Sequence, residues 1–288
     1  MITDKKSFEK VYEGKQISLY TLKNKNGITV QITNFGARIV SVITPDKSGK
    51  FEDITIGYEN IDKYLNNAGE RFIGCVVGRY ANRIAKGKVT IDGKSYQFPV
   101  NNNGQSLHGG LKGLDSVVWD VKSASEKALH LTYLSPDGEE GYPGNLNIEI
   151  FYSLGDDNGL RIDYKAITDK PTVINLSNHA FFNLKGAGNG TITDHVMLLN
   201  ASHTTPVDQY LIPTGEIASV DGAPFDFRKP EVIGLRIDDD NEQLKFGNGY
   251  DHCWVIDKKA GEIALAARLY SPESGRVLEV WTDQPGIQ

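Results

Sequence analysis

Two of the six histidines stand in unusual local contexts: His108 within Ser106-Leu107-His108-Gly109-Gly110, and His179 at the end of Asn175-Leu176-Ser177-Asn178-His179. An imidazole titrates near neutrality, so a histidine at the exit of a strand can exchange a proton with a bound molecule. The two glycines after His108 leave main-chain room for a ligand, and His179 closes a polar patch between apolar runs. Asn82-Arg83 adds an amide and a guanidinium, and Tyr250-Asp251-His252 sets a carboxylate beside an imidazole just ahead of the apolar Cys253-Trp254-Val255-Ile256. Taken singly, each has a plainer reading as a solvated or hydrogen-bonded loop residue. Taken together, amide, guanidinium, imidazole and carboxylate are the groups that hold sugar hydroxyls, each of which both donates and accepts. Trp119, Trp254 and Trp281 have the flat faces that stack on a pyranose, although core packing is the commoner role of such rings.

Other chemistries fit less well. His179, His195 and His203 are too widely spaced for a zinc site, and the sequence has neither HExxH nor GxSxG. The run Asp238-Asp239-Asp240-Asn241-Glu242 lacks the alternating ligands and sixth-position glycine of an EF-hand and reads as a solvated loop. Gly186, Gly188 and Gly190 imitate part of a dinucleotide motif without its helix-opening context, which makes them a flexible loop. Cys75 and Cys253 have no ligand-like spacing and read as reduced thiols in a reducing compartment.

The elements that must position these residues are strands. Leu146, Ile148, Ile150, Tyr152 and Leu154 share one side of a strand while Asn147, Glu149, Phe151 and Ser153 share the other. Asn158-Gly159 predicts a type I′ turn into a partner strand with Leu160, Ile162 and Tyr164 on its apolar side, and Asp92-Gly93 predicts a second hairpin over residues 88–98. Helical spacing is scarce, with one short helix expected at Ile61, Tyr64 and Leu65. Thirty glycines, 13 Tyr and 11 Phe suit many strands and tight turns. With no linker and no internal repeat, residues 1–288 are expected to form a single all-β domain, a large antiparallel β-sandwich. A net charge of −6 without a basic cluster argues against nucleic acid or an anionic membrane as partner. The polar residues 1–16 carry no signal-peptide core, so a cytoplasmic location is expected.

Several of these segments, in order along nearly the whole chain, resemble the aldose 1-epimerases. They are residues 78–85 with Gly87, 106–110, 175–184, Tyr250-Asp251-His252 and 282–288, supported by Asn34-Phe35-Gly36-Ala37, residues 136–144, and Thr204 with Pro206, Val207 and Asp208. In the family's histidine motif, Ser177 and Phe181 replace the usual Thr and Tyr. The resemblance implies the galactose mutarotase type of supersandwich, a sugar site in a rim cleft, and interconversion of the α and β anomers of a free hexose such as galactose or glucose. By position, His179 resembles the acid that protonates the ring oxygen and His108 its polarising neighbour. Asn82, Arg83, Asp251 and Gln288, and less closely Gln284, resemble substrate-binding residues. No metal or organic cofactor is implied, and the partner is a small-molecule sugar bound by a monomer or homodimer. A hexose-phosphate epimerase and a catalytically silent sugar-binding module are the competing readings. The family's base is a glutamate a few dozen residues beyond the segment that ends here at Gln288. The expectation is therefore that closing strands are missing, leaving open sheet edges, and that the 288-residue chain alone turns over slowly.

Overall fold

The computed structural model describes residues 2–67 and 69–288. Among the described residues there are two α-helices, Ile61–Leu65 and Glu242–Gly247, and the rest of the regular structure is strand with short 3-10 turns. No helix among the described residues is long and apolar enough to cross a membrane. Among the described residues the strand ladders are antiparallel, with one isolated parallel bridge at Tyr80 and Asn175.

Contacts gather the chain into two compact units, Met1–Pro45 with Lys50–Phe182, and Asp46–Gly49 with Asn183–Gln288. The first unit holds two four-stranded sheets. One runs Leu19–Lys23, Thr29–Thr33, Arg38–Pro45, Phe51–Asp53; the other runs Asp120–Ala124, Ala128–Ser135, Leu146–Leu154, Leu160–Thr168. The alternation read in residues 146–154 is real burial: Leu146, Ile148, Ile150, Tyr152 and Leu154 are buried while Asn147 and Phe151 face out. Burying such a face supplies roughly 1.5–3 kcal/mol for each large apolar side chain. Tyr152 satisfies its hydroxyl inside the core by donating to the Ala37 carbonyl at 2.7 Å. Trp119 is fully buried in this unit and Trp254 is buried in the second, so both are core rings; Trp281 is 58% exposed.

Two turns show how local chemistry sets the connections. Asp92 (φ 48°) and Gly93 (φ 76°) form the expected two-residue turn between Lys88–Ile91 and Lys94–Gln97. The 146–154 and 160–168 strands pair as predicted, but through a five-residue loop. There Gly155 N–H donates to the Gly159 carbonyl and the Asp157 carboxylate takes the Gly159 N–H, so Asn158 alone of the Asn-Gly pair adopts positive φ (71°).

In the second unit, four-stranded sheets run Glu231–Val232, Val196–Leu199, Ala264–Tyr270, Val277–Thr282 and Ala218–Ser219, His203–Thr205, Cys253–Val255, Gly286–Ile287. The expectation of missing closing strands gains no support from these sheets, since the final strand pairs Ile287 with Trp254 and Gly286 with Val255. The acidic run is not wholly loop. Asn241 caps a helix, its side chain accepting from Gln243 and Leu244 N–H, and Glu242 occupies the first turn, where a negative charge is favourable.

Candidate active site

In the first unit, two short ribbons carry the two histidines. Arg83–Ile84 pairs with Ser106–Leu107, with Leu107 opposite Arg83, and the ladder continues one step as His108 N–H donates to the Asn82 carbonyl at 3.0 Å. Asn82 returns the bond: its own N–H donates to His108 Nδ1 at 3.0 Å. The second ribbon pairs Val76–Val77 with Ser177–Asn178, and His179 is tied on both sides, its N–H to the Cys75 carbonyl and its carbonyl from Gly74 N–H. These ladders bring the two imidazoles into edge-to-face contact, with centroids 5.2 Å apart and planes at 88°.

The loop after His108 is forced by close approach. His108 has φ 51°, a left-handed value uncommon for a non-glycine residue and frequent where function holds a side chain in place. Gly109 follows at φ 94°, and a β-carbon there would lie 1.8 Å from the Gly78 carbonyl oxygen. Asn101 clamps the same turn, accepting from Leu107 N–H at 2.7 Å and donating to the carbonyls of Leu107 and Gly110. Around the imidazoles stand Phe72, with centroids 4.7 Å from His108 and 6.1 Å from His179, and Phe181, 5.0 Å from His179. Arg83 donates through Nε to Asn102 Oδ1 and through Nη1 to Asn82 Oδ1. His108, His179, Asn82 and Arg83 are all half-buried, sheltered yet reachable.

The tautomer of His108 is fixed by its neighbour. A main-chain N–H can only donate, so His108 Nδ1 must present a lone pair to Asn82 and the ring proton sits on Nε2. Burial, then the neighbouring His179, then the guanidiniums of Arg83 and Arg71, push the His108 pKa down to about 3. His108 is therefore a neutral donor through Nε2 across the physiological range.

This carries a stability consequence. Folded His108 stays neutral to about pH 3, whereas the unfolded chain takes up the proton near 6.5, so between these values the unfolded state binds more protons. Stability present above pH 6.5 is lost progressively as the pH falls, by up to about 2 kcal/mol at pH 5. In urea titrations, His108→Gln should reduce the loss of unfolding free energy between pH 7 and pH 5 by about that amount. Equal losses in the two proteins would contradict it.

In the second unit, the pairing of Trp254 with Ile287 carries Gln288 alongside Asp251, and Gln288 Nε2 donates to Asp251 Oδ1 at 2.8 Å. Gln284 instead bonds locally, to Thr282 and Asp283. The neighbouring His252 does not join the carboxylate in an exposed pair. It is buried against Phe225, with centroids 4.7 Å apart, and burial pushes its pKa below the usual histidine value. The sequence-predicted residues thus fall into two groups: His108, His179, Asn82 and Arg83 in the first unit, Asp251 with Gln288 in the second.

Arg79 has a different job. Its guanidinium is buried and donates to Ser135 Oγ and to the carbonyls of Ser135, Pro136, Pro143 and Gly144. It is spent on main chain. The carboxylates of Glu139, Glu140 and Glu279 are also engaged elsewhere, accepting from Tyr133 and Ser135, from Leu111 N–H, and from Trp281 respectively. Sequence reasoning missed Phe72 and Arg71, whose importance depends on a partner 44 residues away at Asp115; no local spacing signals it.

Comparison with known proteins gives the family. The sequence model described as aldose 1-epimerase matches residues 18–288. Galactose mutarotase of Bos taurus is 43% identical over 261 residues, spanning 91% of this chain and 73% of the bovine protein. Aldose 1-epimerase of Escherichia coli is 34% identical over 278 residues, spanning 96% and 79%. An aldose epimerase homologue from C. elegans superposes with a TM-score of 0.82 at 31% identity, covering 94% of this chain and 80% of that one. Galactose 1-epimerase of Lactobacillus acidophilus gives 0.79 at 32% identity, covering 91% and 75%. With paired imidazoles on two short ribbons, a nearly all-β architecture and a match over residues 18–288, the chain belongs to the aldose 1-epimerase family.

Proposed function

We propose that the protein interconverts the α and β anomers of a free hexose, galactose or glucose, with His179 as the acid and His108 as a neutral hydrogen-bond donor. The observation that carries this reading is the contact of two imidazoles, one of which, His108, is held as an Nε2–H donor by the Asn82 N–H. Ring opening needs the proton of the C1 hydroxyl removed and a proton delivered to the ring oxygen as the C1–O bond breaks. The aldehyde then turns about C1–C2 and recloses with the proton transfers reversed. His108, with its Nδ1 occupied and its charge disfavoured, offers a fixed Nε2–H bond to the sugar, and proton delivery is assigned to His179, whose position resembles that of the family's acid. Asn82 and Arg83, beside the two imidazoles, are assigned to hydroxyl recognition. The base is assigned to none of the residues in this sequence.

An unphosphorylated sugar is favoured because the cation nearest Asn82 and Arg83 in sequence, Arg79, is buried and engaged with Ser135 Oγ and main-chain carbonyls, which leaves it none of its N–H groups for a phosphate. Cytoplasmic residence belongs to the same proposal, and the two free cysteines suit a reducing compartment. Polarimetry on freshly dissolved α-galactose tests the activity. The complete gene product should speed the approach to anomeric equilibrium in proportion to its concentration, and a rate no faster than the spontaneous one would overturn the reading.

A further inference from the structure

We infer that Phe72 is the positioning residue that fixes the two imidazoles relative to each other, and that Arg71 and a buried Asp115 hold it there; this rests on the roles just proposed for the pair. His108 and His179 arrive on segments about 70 residues apart in sequence, so their mutual geometry needs a common reference. Phe72 supplies it. Its ring stands at 62° to His108 and 40° to His179, and the imidazoles touch each other, so the three rings form a closed triangle of contacts.

The ring is itself immobilised from behind. The Arg71 guanidinium lies 4.9 Å from its centroid, and the same guanidinium grips Asp115 with both arms of its fork, Nε to Oδ2 at 2.8 Å and Nη2 to Oδ1 at 2.9 Å. Asp115 has no solvent exposure and takes a further bond from Ser116 Oγ. Arg38, also buried, donates to the carbonyls of Arg71 and Ile73, the residues on either side of Phe72, and to the carbonyl of Asp115. Arg71 reaches the histidine loop as well, donating to the Gly110 carbonyl at 3.4 Å. A planar fork and a planar ring are both needed here: Lys keeps the charge without the two-armed grip, and Leu keeps the apolar volume without the flat face. Small misplacements of reacting groups have large effects on rate, on the order of 100-fold for an ångström.

The experiment compares Phe72→Leu and Arg71→Lys with the parent by polarimetry on α-galactose and by NMR of ¹⁵N-histidine-labelled protein. Phe72→Leu should lower kcat by about 30- to 100-fold with KM within about threefold, and should move the ring signals of both His108 and His179. Arg71→Lys should move the same signals with a smaller loss of kcat. Unchanged ring signals in both variants would overturn the inference, as would a rise in KM with kcat intact, which would make Phe72 a binding wall. Should Phe72→Leu fail to fold, the ring signals of Arg71→Lys decide alone. Absence of anomer exchange in the parent would count against the proposed function and leave the ring-signal test of Phe72 standing.

Discussion

Replacing His179 with asparagine should lower kcat for mutarotation of galactose by about 10³-fold in the complete gene product, while the affinity for the sugar stays within about threefold. Asparagine preserves a hydrogen-bonding side chain of similar reach but cannot release and recover a proton near neutrality. The loss should therefore fall on the chemical step. His108 cannot take over the role, because its Nδ1 accepts from Asn82 and burial disfavours its charged form. Polarimetry gives the rate and a galactose titration followed by NMR gives the affinity. Parallel collapse of rate and affinity would make His179 a binding residue. Binding without turnover in the parent as well as the variant would favour the silent sugar-binding module.

The largest expected effect on stability is at Gly109. Alanine there would set its β-carbon 1.8 Å from the Gly78 carbonyl oxygen, at a φ of 94° that an L side chain rarely adopts. Neither obstacle is a flexible side chain, so the main chain at residues 78 or 108 must move. The cost should exceed about 3 kcal/mol. Displacement of His108 would also break the bond from Asn82 and release the ring. Gly104→Ala is the control: φ is 81° there, but nothing lies within 4 Å of the added carbon, so the cost should be about 1 kcal/mol. Urea unfolding of both variants measures the difference, and equal costs would contradict the close-approach argument.

Much of this was legible in the sequence because it is locally encoded. The alternation in residues 146–154, the Asp92-Gly93 turn and the short helix at Ile61 to Leu65 follow from side-chain period and turn chemistry within a few residues. The glycines after His108 read in the sequence as main-chain room for a ligand, whereas at Gly109 the close neighbour is the chain's own Gly78 carbonyl. What escaped depends on long-range pairing. Arg71 matters because Asp115 meets it, and Arg79, three residues before Asn82, is taken up by Ser135 Oγ and four main-chain carbonyls around residues 135–144. The helix at Glu242–Gly247 hid in an acidic run because its cap, Asn241, lies inside that run. His252 looked like the partner of Asp251 by adjacency, yet consecutive residues at a strand entry point to opposite sides, and the imidazole went into the core.

The central claim is that His108 and His179 act on one sugar with different protonation. The most direct test is an NMR titration of ¹⁵N-histidine-labelled protein with galactose. At pH 7 and at pH 5, His108 should show the neutral form with its proton on Nε2, and the signals of His108 and His179 should move together along one binding curve. A protonated His108 at pH 5, or a sugar that moves neither ring or only one of them, would contradict it.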